Sequence, residues 1–187
     1  NEANYFAPKF MSPTRTLGIK SPTGSITLTT HYIYDEVVEK NISKEFPNGK
    51  TIAELRGNGN TVVAPSVAES KLFSKQKCKR VWTNKKGFSK NPNLTKQFNK
   101  VCVASVLKTV IESDNMPFVK LTACLTRYCI KNGDWSENEL YEFIEIVCNS
   151  IKHKKGGNLF KWNDVKAKVK SVLNNWNNPK THQSGYE

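Results

Sequence analysis

The hydrophobic pattern of this chain changes its period near residue 97, and that change limits the possible folds more than any other feature. Upstream, short β-branched segments such as residues 16–19 and 26–34 are separated by turns rich in Gly, Pro, Ser and Asn. Downstream, apolar residues recur every three or four positions, which is typical of amphipathic helices. We therefore predict an α+β protein with a β-rich first part and a four-helix second part.

The helical part carries four apolar stripes, in residues 103–111, 121–129, 140–151 and 162–176. The third stripe is the most regular. Ser136 and Glu139 stand just before it at the spacing of a capping box, in which each side chain bonds a free amide at the helix start.

These patterns divide the chain into three segments. We expect a β-rich domain with a basic linker in residues 1–94, a helical bundle in residues 95–178 and a loose tail in residues 179–187.

One predicted hairpin carries an acid and a base. Residues 51–55 and 61–63 read as two strands that flank a Gly-Asn-Gly turn, and Glu54 and Arg56 stand at the end of the first strand. The Glu54 carboxylate could hold a divalent cation, since Mg²⁺ prefers hard oxygen ligands. The alternative is an ion pair between Glu54 and Arg56.

The charge of the chain points to a polyanionic partner. There are 29 Lys and Arg against 16 Asp and Glu, which gives a net charge of +13. Residues 70–100 hold no acid, and residues 81–83 alone read as a short strand within an otherwise loop-like zone. Its cations could follow a nucleic-acid backbone while Phe73, Trp82 and Phe88 stack on bases. The candidate contacts are Lys75, Lys77, Lys79, Arg80, Trp82, Lys85 and Lys86. The alternative is a solvated lysine loop.

The cysteine pattern and the hydropathy of the chain indicate the cellular compartment of the protein. The five cysteines form no Cys-X-X-Cys pair and mostly fall inside apolar helical patterns, which favours a reducing compartment over a disulfide framework. No segment is long and apolar enough to span a membrane. We expect a cytoplasmic protein, or one inside the host cell if it is viral or plasmid-borne.

Two further positions could contact phosphate. Lys20 and Ser21 precede a Pro-Thr-Gly-Ser turn whose amides and hydroxyls could bind an anion, although the motif is no P-loop. His31 lies on a predicted strand, on the opposite face from Tyr32 and Tyr34. A histidine in such a place could donate to a triphosphate oxygen or be merely structural.

Four segments in this order, residues 16–21, 30–34, 49–57 and 61–66, resemble the second and third motifs of primase-polymerases of the archaeo-eukaryotic primase superfamily. The resemblance implies that His31, with Lys20, Ser21 and Arg56, contacts the incoming nucleotide. It implies that Glu54 is the third carboxylate of a Mg²⁺ or Mn²⁺ site. The helical part resembles the helical domain that commonly follows the catalytic domain of these enzymes and is implicated in template binding.

The chain also departs from the family pattern. Ala64 stands where a first proline is usual, and Ala68 where a histidine is frequent. If the Ser-Pro-Thr-Gly-Ser turn is instead the Gly-Gly loop of the family, Thr27 takes the place of the histidine. The paired-acid first motif has no counterpart before His31, and we expect it upstream of Asn1.

The leading hypothesis is therefore a DNA primase-polymerase of a plasmid, phage or virus, with a nucleotidyltransferase activity that is incomplete in this chain. Its partners would be a single-stranded DNA template, nucleoside triphosphates and a replicative helicase. The alternative is a non-catalytic replication accessory module that binds single-stranded nucleic acid. A third hypothesis is a structural protein that is basic only through codon bias.

Overall fold

The computed structural model has the predicted α+β architecture. It describes residues 2–35, 38–46, 48–57, 62–114, 126–127, 135–151 and 162–176. The chain divides into two compact units, Asn1–Ser105 and Val106–Glu187. The strands are β1 (Arg15–Lys20), β2 (Ile26–Ile33), β3 (Ile42–Glu45), β4 (Thr51–Leu55), β5 (Val67–Ser70) and β6 (Gln76–Trp82). The helices are α1 (Glu2–Phe10), α2 (Leu94–Asp114), α3 (Glu137–Ser150) and α4 (Trp162–Trp176).

The main sheet of the first unit has four antiparallel strands in the order β2-β1-β6-β5. Strand β1 is central, and four consecutive residues from Thr16 to Ile19 are buried on it. The turn from β1 to β2 closes with Gly24 at a φ of +95°, a conformation that glycine adopts without steric cost. Strand β6 pairs with β1 over Leu17 to Lys20, so the sequence-distant basic segment lies in the middle of the sheet.

A separate two-stranded sheet pairs β3 with β4, and this corrects the predicted hairpin of residues 51–55 and 61–63. The connection from β3 to β4 is a short turn in which Gly49 has a φ of +76°, which makes the pairing of these neighbours local. Val62 and Val63 lie outside any strand and are exposed. Residues 58–61 lie outside the described part of the chain.

Helix α1 lies in the part of the chain for which the sequence predicts a β-rich domain, so it corrects that expectation. In α1, Ala3, Phe6 and Ala7 share one buried face at the helical spacing of three and four residues. Phe6 is completely buried, and α1 contacts both β2 and β4. A nine-residue helix with Pro8 inside it has a weak helical signal in the sequence, so burial of this face is what stabilises it.

Helix α3 confirms the predicted capping box. The Ser136 hydroxyl accepts from the Glu139 amide, and the Glu139 carboxylate accepts from the Ser136 amide. The stripe of α3 is buried as predicted, and α3 contacts α4, whose Val165, Val169 and Val172 are buried.

Helix α2 departs from its predicted stripe in residues 103–111. Its buried side chains begin earlier, at Leu94, Phe98 and Val101. Of the predicted stripe, Ile111 is buried, whereas Val103, Val106, Leu107 and Val110 are only partly buried. The helix is apolar on several sides, so the spacing of its apolar residues does not single out one buried face. The predicted helix in residues 121–129 lies outside the described residues except for Thr126 and Arg127, which are helical.

Within the described ranges, none of the helices combines the length and the apolar character that a membrane span requires.

Candidate nucleic-acid interface

Part of the acid-free basic segment, residues 70–100, forms strand β6, whose side chains are regularly arranged. Its side chains alternate, so that Lys77 and Lys79 are exposed while Cys78 between them is buried. The expectation of a loop-like zone with a strand only at residues 81–83 is therefore wrong. The sequence does not show this strand clearly, because the face that carries Cys78 and Trp82 also carries Gln76 and Arg80, and apolar residues therefore do not alternate along it.

The pairing register brings a third lysine beside these two. Lys79 of β6 lies opposite Lys20 of β1 and opposite Val67 of β5. Directly opposed residues of antiparallel strands project from the same face of a sheet. Lys20, Lys77 and Lys79 thus form one exposed group, which we call the basic face.

The hairpin between β5 and β6 extends this charge beyond the sheet. A short 3₁₀ turn, Lys71–Phe73, is followed by Ser74 and Lys75 with φ values of 51° and 62°. Two consecutive non-glycine residues in the left-handed region are unusual and strained. The Lys75 amide donates to the Ser70 carbonyl at 2.9 Å, which closes the turn and leaves the Lys75 side chain exposed.

The segment after β6 is anchored to β1. The Thr83 amide donates to the Thr16 carbonyl at 2.9 Å. The Asn84 side chain donates to the Thr14 carbonyl at 3.0 Å and accepts from the Thr16 amide at 3.4 Å and the Lys86 amide at 3.2 Å. These bonds hold Lys85 and Lys86, both exposed, in what we call the anchored loop.

An arginine lies over two aromatic rings between the sheet and this loop. The Arg15 guanidinium carbon is 4.5 Å from the centroid of the Trp82 ring and 5.5 Å from that of Phe88. The two rings meet edge to face with centroids 6.0 Å apart. Such contacts between a cation and ring faces are favourable, and most so when water is excluded. We call these three residues the aromatic cluster.

Two guanidinium nitrogens in this region are buried without a hydrogen-bond partner, Arg15 Nε and Arg80 Nη1. Among the described residues, neither arginine forms an ion pair. Buried polar groups are normally satisfied, so these two nitrogens are exceptions among the described residues.

The predicted metal ligand Glu54 lies in the other sheet of the first unit. Its carboxylate forms an ion pair with Arg56, whose Nε donates to Glu54 Oε2 at 2.7 Å, and both side chains are well exposed. Over the described ranges, no three His, Cys, Asp or Glu side chains come together in a group that could hold a metal ion. A single carboxylate paired with an arginine does not fit the donor set of a two-metal site.

The remaining predicted contacts are dispersed. Lys20 is exposed, but Ser21 is buried, and its hydroxyl is bonded to that of Thr23 at 2.9 Å within their own turn. His31 is on β2, opposite Leu17, and its side chain lies outside the described part of the structure. His31 and Glu54 therefore belong to different sheets.

Burial shifts several titratable groups away from their usual pKa values. The Tyr34 hydroxyl donates to the Ser12 carbonyl at 2.6 Å, and burial together with the neighbouring Tyr32 raises the pKa of Tyr34 to about 12. Burial raises the pKa of the Cys102 thiol to about 11 and that of the Cys148 thiol to about 12. Thiols of this kind are poor nucleophiles and metal ligands, because the reactive form is the thiolate.

The sequence patterns predict the lysines and Trp82 as contacts, which stays a prediction, and they do not indicate Arg15, Thr83 or Asn84, which the structure places beside them. Arg15 and Trp82 are far apart in the sequence, and only the pairing of β1 with β6 brings them together. Asn84 alone could have been noticed in the sequence, because Asn often accepts a hydrogen bond from the backbone amide two residues later, in an Asx turn. In the structure the Lys86 amide forms this bond.

Comparison of the chain with protein-family models, with curated proteins and with solved structures gave no match.

Proposed function

We propose that the first unit binds single-stranded nucleic acid through the basic face and the anchored loop, with the aromatic cluster next to that loop at the end of β6, on the side of the sheet opposite Lys77 and Lys79. The observation that carries the proposal is the anchoring of Lys85 and Lys86 to β1 through Thr83 and Asn84, directly after a strand that exposes Lys77 and Lys79. Cations fixed to a rigid sheet lose less conformational freedom on binding than cations on a free loop.

The charges of this surface favour a phosphate backbone. None of these four lysines forms an ion pair with a described carboxylate, so their charge is not neutralised internally. Phosphates that bind there release condensed counterions, which drives association at low salt. The aromatic cluster favours a strand whose bases are accessible to ring contacts.

The test compares a double lysine variant with a charge-matched control. Lys77→Ala with Lys79→Ala removes two phosphate contacts, and the plot of log affinity against log salt should become shallower by about 1.4, at about 0.7 per contact with single strands. Lys40→Ala with Lys50→Ala removes the same charge from exposed positions of the first unit that belong neither to the basic face nor to the anchored loop, and it should keep the wild-type slope. Fluorescence anisotropy of a labelled single-stranded oligonucleotide, measured over a salt series, gives both slopes.

Equal slopes for the two double variants would overturn the proposal, since the surface would then contribute only net charge. Wild-type affinity that does not fall with salt would do the same, because binding to phosphate must weaken as counterion concentration rises.

A second candidate is nucleotidyl transfer by a primase-polymerase, supported by the order of the motif-like segments and by the exposure of the Glu54 carboxylate at the end of β4. In this candidate Glu54 is one acid of a set whose other members lie outside the described residues. The described residues do not complete such a set, so no catalytic step is derived from them.

Primer synthesis on a single-stranded template with Mg²⁺ or Mn²⁺ tests this candidate. Glu54→Gln should abolish synthesis by the full-length gene product while leaving DNA affinity unchanged. Glu45→Gln, which alters an exposed carboxylate on the neighbouring strand β3, should keep the activity. Synthesis that survives Glu54→Gln, or a full-length product without synthesis, would rule out this role of Glu54.

A further inference from the structure

The aromatic cluster contains two rings with different surroundings, and the difference assigns them different tasks. Trp82 is a strand residue in the sheet, with its ring under the Arg15 guanidinium and its plane at 73° to that of Phe88. Phe88 lies beyond the strand, in the segment that follows the anchored loop, and 53% of its surface is exposed. Trp82 is therefore the support of the cluster, and Phe88 is the ring that a ligand can reach.

The backbone around Phe88 is fixed on its C-terminal side. The Ser89 amide donates to the Thr14 hydroxyl at 3.1 Å, and the Ser89 hydroxyl donates to the Pro13 carbonyl at 2.6 Å. The Asp35 amide donates to the Ser89 carbonyl at 2.9 Å. An exposed phenylalanine on a backbone held in this way is a preorganised contact, because its position does not have to be ordered on binding.

Arg15 is held by rings instead of by an acid. Its guanidinium contacts Trp82 and Phe88, it forms no ion pair among the described residues, and its Nε has no hydrogen-bond partner. A guanidinium stacked on aromatic faces keeps its full charge and its planar set of donors, which match the oxygens of a phosphate. Arg80, also with an unpaired buried nitrogen, adds a second positive charge on β6.

These observations rest on the proposed function and make it more specific. We propose that the aromatic cluster is a one-nucleotide site in which Phe88 stacks on an unpaired base and Arg15 contacts the adjoining phosphate. A base within a duplex has both faces covered by its neighbours, whereas an unpaired base can leave the stack at little cost. The site thus makes the protein prefer single strands to duplexes of the same length and charge.

A fluorescent base analogue tests this site directly. An oligonucleotide that contains 2-aminopurine loses fluorescence when the analogue stacks on an aromatic ring, and the wild-type protein should quench it. Phe88→Leu keeps an apolar side chain but removes the ring, so quenching should be lost and single-strand affinity should fall at least about five-fold. Phe88→Tyr restores a ring and should retain both.

Two further variants serve as a control and as a test of Arg15. Leu72→Ala truncates an equally exposed apolar side chain of the β5–β6 connection and should leave the quenching and the preference for single strands unchanged. Arg15→Lys keeps the charge but loses the planar stacked group, and it should weaken single-strand affinity by more than Lys85→Arg does. Circular dichroism spectra should be the same for all variants.

The outcomes separate the two proposals. If Phe88→Leu quenches like the wild type and keeps its ratio of single-strand to duplex affinity, the nucleotide site is overturned even where binding still falls with salt as expected for the surface. If the wild type binds duplex and single strand equally, the site is overturned as well. If the wild type shows no binding that depends on salt, the proposed function fails and the site fails with it.

Discussion

At the scale of single residues, Gly57 lies at a close approach between two backbone segments. A Cβ atom added to Gly57 would clash with the Val38 carbonyl oxygen, a contact with backbone that no side-chain rotation can relieve. The Gly57 amide also donates to the Asn41 side chain at 2.9 Å. The end of β4 is thus fixed next to Glu54 by a close backbone approach that only glycine allows.

We expect Gly57→Ala to lower the free energy of unfolding by about 1–3 kcal/mol, because the backbone must shift to admit the methyl group. Gly87→Ala is the matched control, since a Cβ at Gly87 meets nothing within 4 Å. Urea denaturation followed by circular dichroism measures both. A similar loss for the two variants would show that the contact with Val38 is not the cause.

The raised pKa of Tyr34 makes the free energy of unfolding depend on pH in the alkaline range. Its pKa is raised from 10.0 to about 12 chiefly by burial, so above pH 10 the unfolded chain loses this proton while the folded chain keeps it. The contribution of Tyr34 to stability is therefore fully present below pH 10 and is lost as the pH rises from 10 to about 12. Tyr34→Phe should flatten this part of the curve of unfolding free energy against pH.

The matched control is Tyr5→Phe, because Tyr5 is exposed and should change the curve little. At neutral pH, Tyr34→Phe should lower stability by about 1 kcal/mol through loss of the bond to Ser12. Wild-type and Tyr34→Phe curves that run parallel from pH 10 to 12 would contradict the assignment.

At the scale of elements, the anchored loop depends on one side chain. Asn84 bonds the Thr14 carbonyl, the Thr16 amide and the Lys86 amide, and so joins the end of β6 to β1. Among the described residues, the charged side chains of Lys85 and Lys86 form no ion pair. The position of the charge is therefore determined by a neutral residue.

We expect Asn84→Ala to weaken single-strand affinity several-fold without any change in net charge and to speed hydrogen exchange at the Lys86 amide. Asn48→Ala is the matched control. In the β3–β4 turn, the Lys50 amide donates to the Asn48 side chain, in the same way as the Lys86 amide donates to the Asn84 side chain. Exchange measured by mass spectrometry and affinity measured by anisotropy test the two effects. Unchanged affinity with faster exchange would mean that the order of the loop does not matter for binding.

The sequence predicts elements well where the determinants are local. Ser136 and Glu139 specify the start of α3 within one turn, and the stripe that follows is buried as expected. The sequence does not predict that β3 is the partner of β4, because residues 42–45 carry no strong strand pattern. They form a strand because they pair with β4. The same holds for α1, which is stabilised by the burial of Phe6.

At the scale of the whole molecule, the chain has two compact units, and each described unit contains a buried cysteine whose pKa is raised. Cys102 belongs to the first unit and Cys148 to the second. At about pH 8, a thiol whose pKa is 11 instead of 9 has a thiolate fraction about 100-fold smaller.

We therefore expect Cys102 and Cys148 to react with iodoacetamide at least about 100-fold more slowly in the native protein than in urea. Mass spectrometry of labelled peptides resolves the two sites, so each reports on the opening of its own unit. Native labelling of Cys148 at the rate of the unfolded chain would contradict its burial in α3. Cys124 and Cys129 lie outside the described residues.

The candidate site contains contacts between residues far apart in the sequence, and these could not be predicted. Residue types alone indicated a basic, aromatic surface, and Lys77, Lys79, Lys85, Lys86 and Trp82 were identified in that way. The partners that give this surface its form, Arg15 and Thr16, are on β1, and only the register between β1 and β6 brings them there. Membership in the primase superfamily stays a prediction, since it depends on motif-like segments whose side chains the described structure does not bring together.

The unpaired nitrogens of Arg15 and Arg80 have a consequence for heat resistance. A buried donor without a partner lowers the stability of the folded chain, by about 1–3 kcal/mol for each such group. A ligand that neutralises these arginines in the folded protein alone raises its melting temperature in proportion to the logarithm of ligand concentration. If the first unit binds a single strand as proposed, thermal unfolding should occur at a higher temperature when the strand is present, and circular dichroism measures this shift without a label.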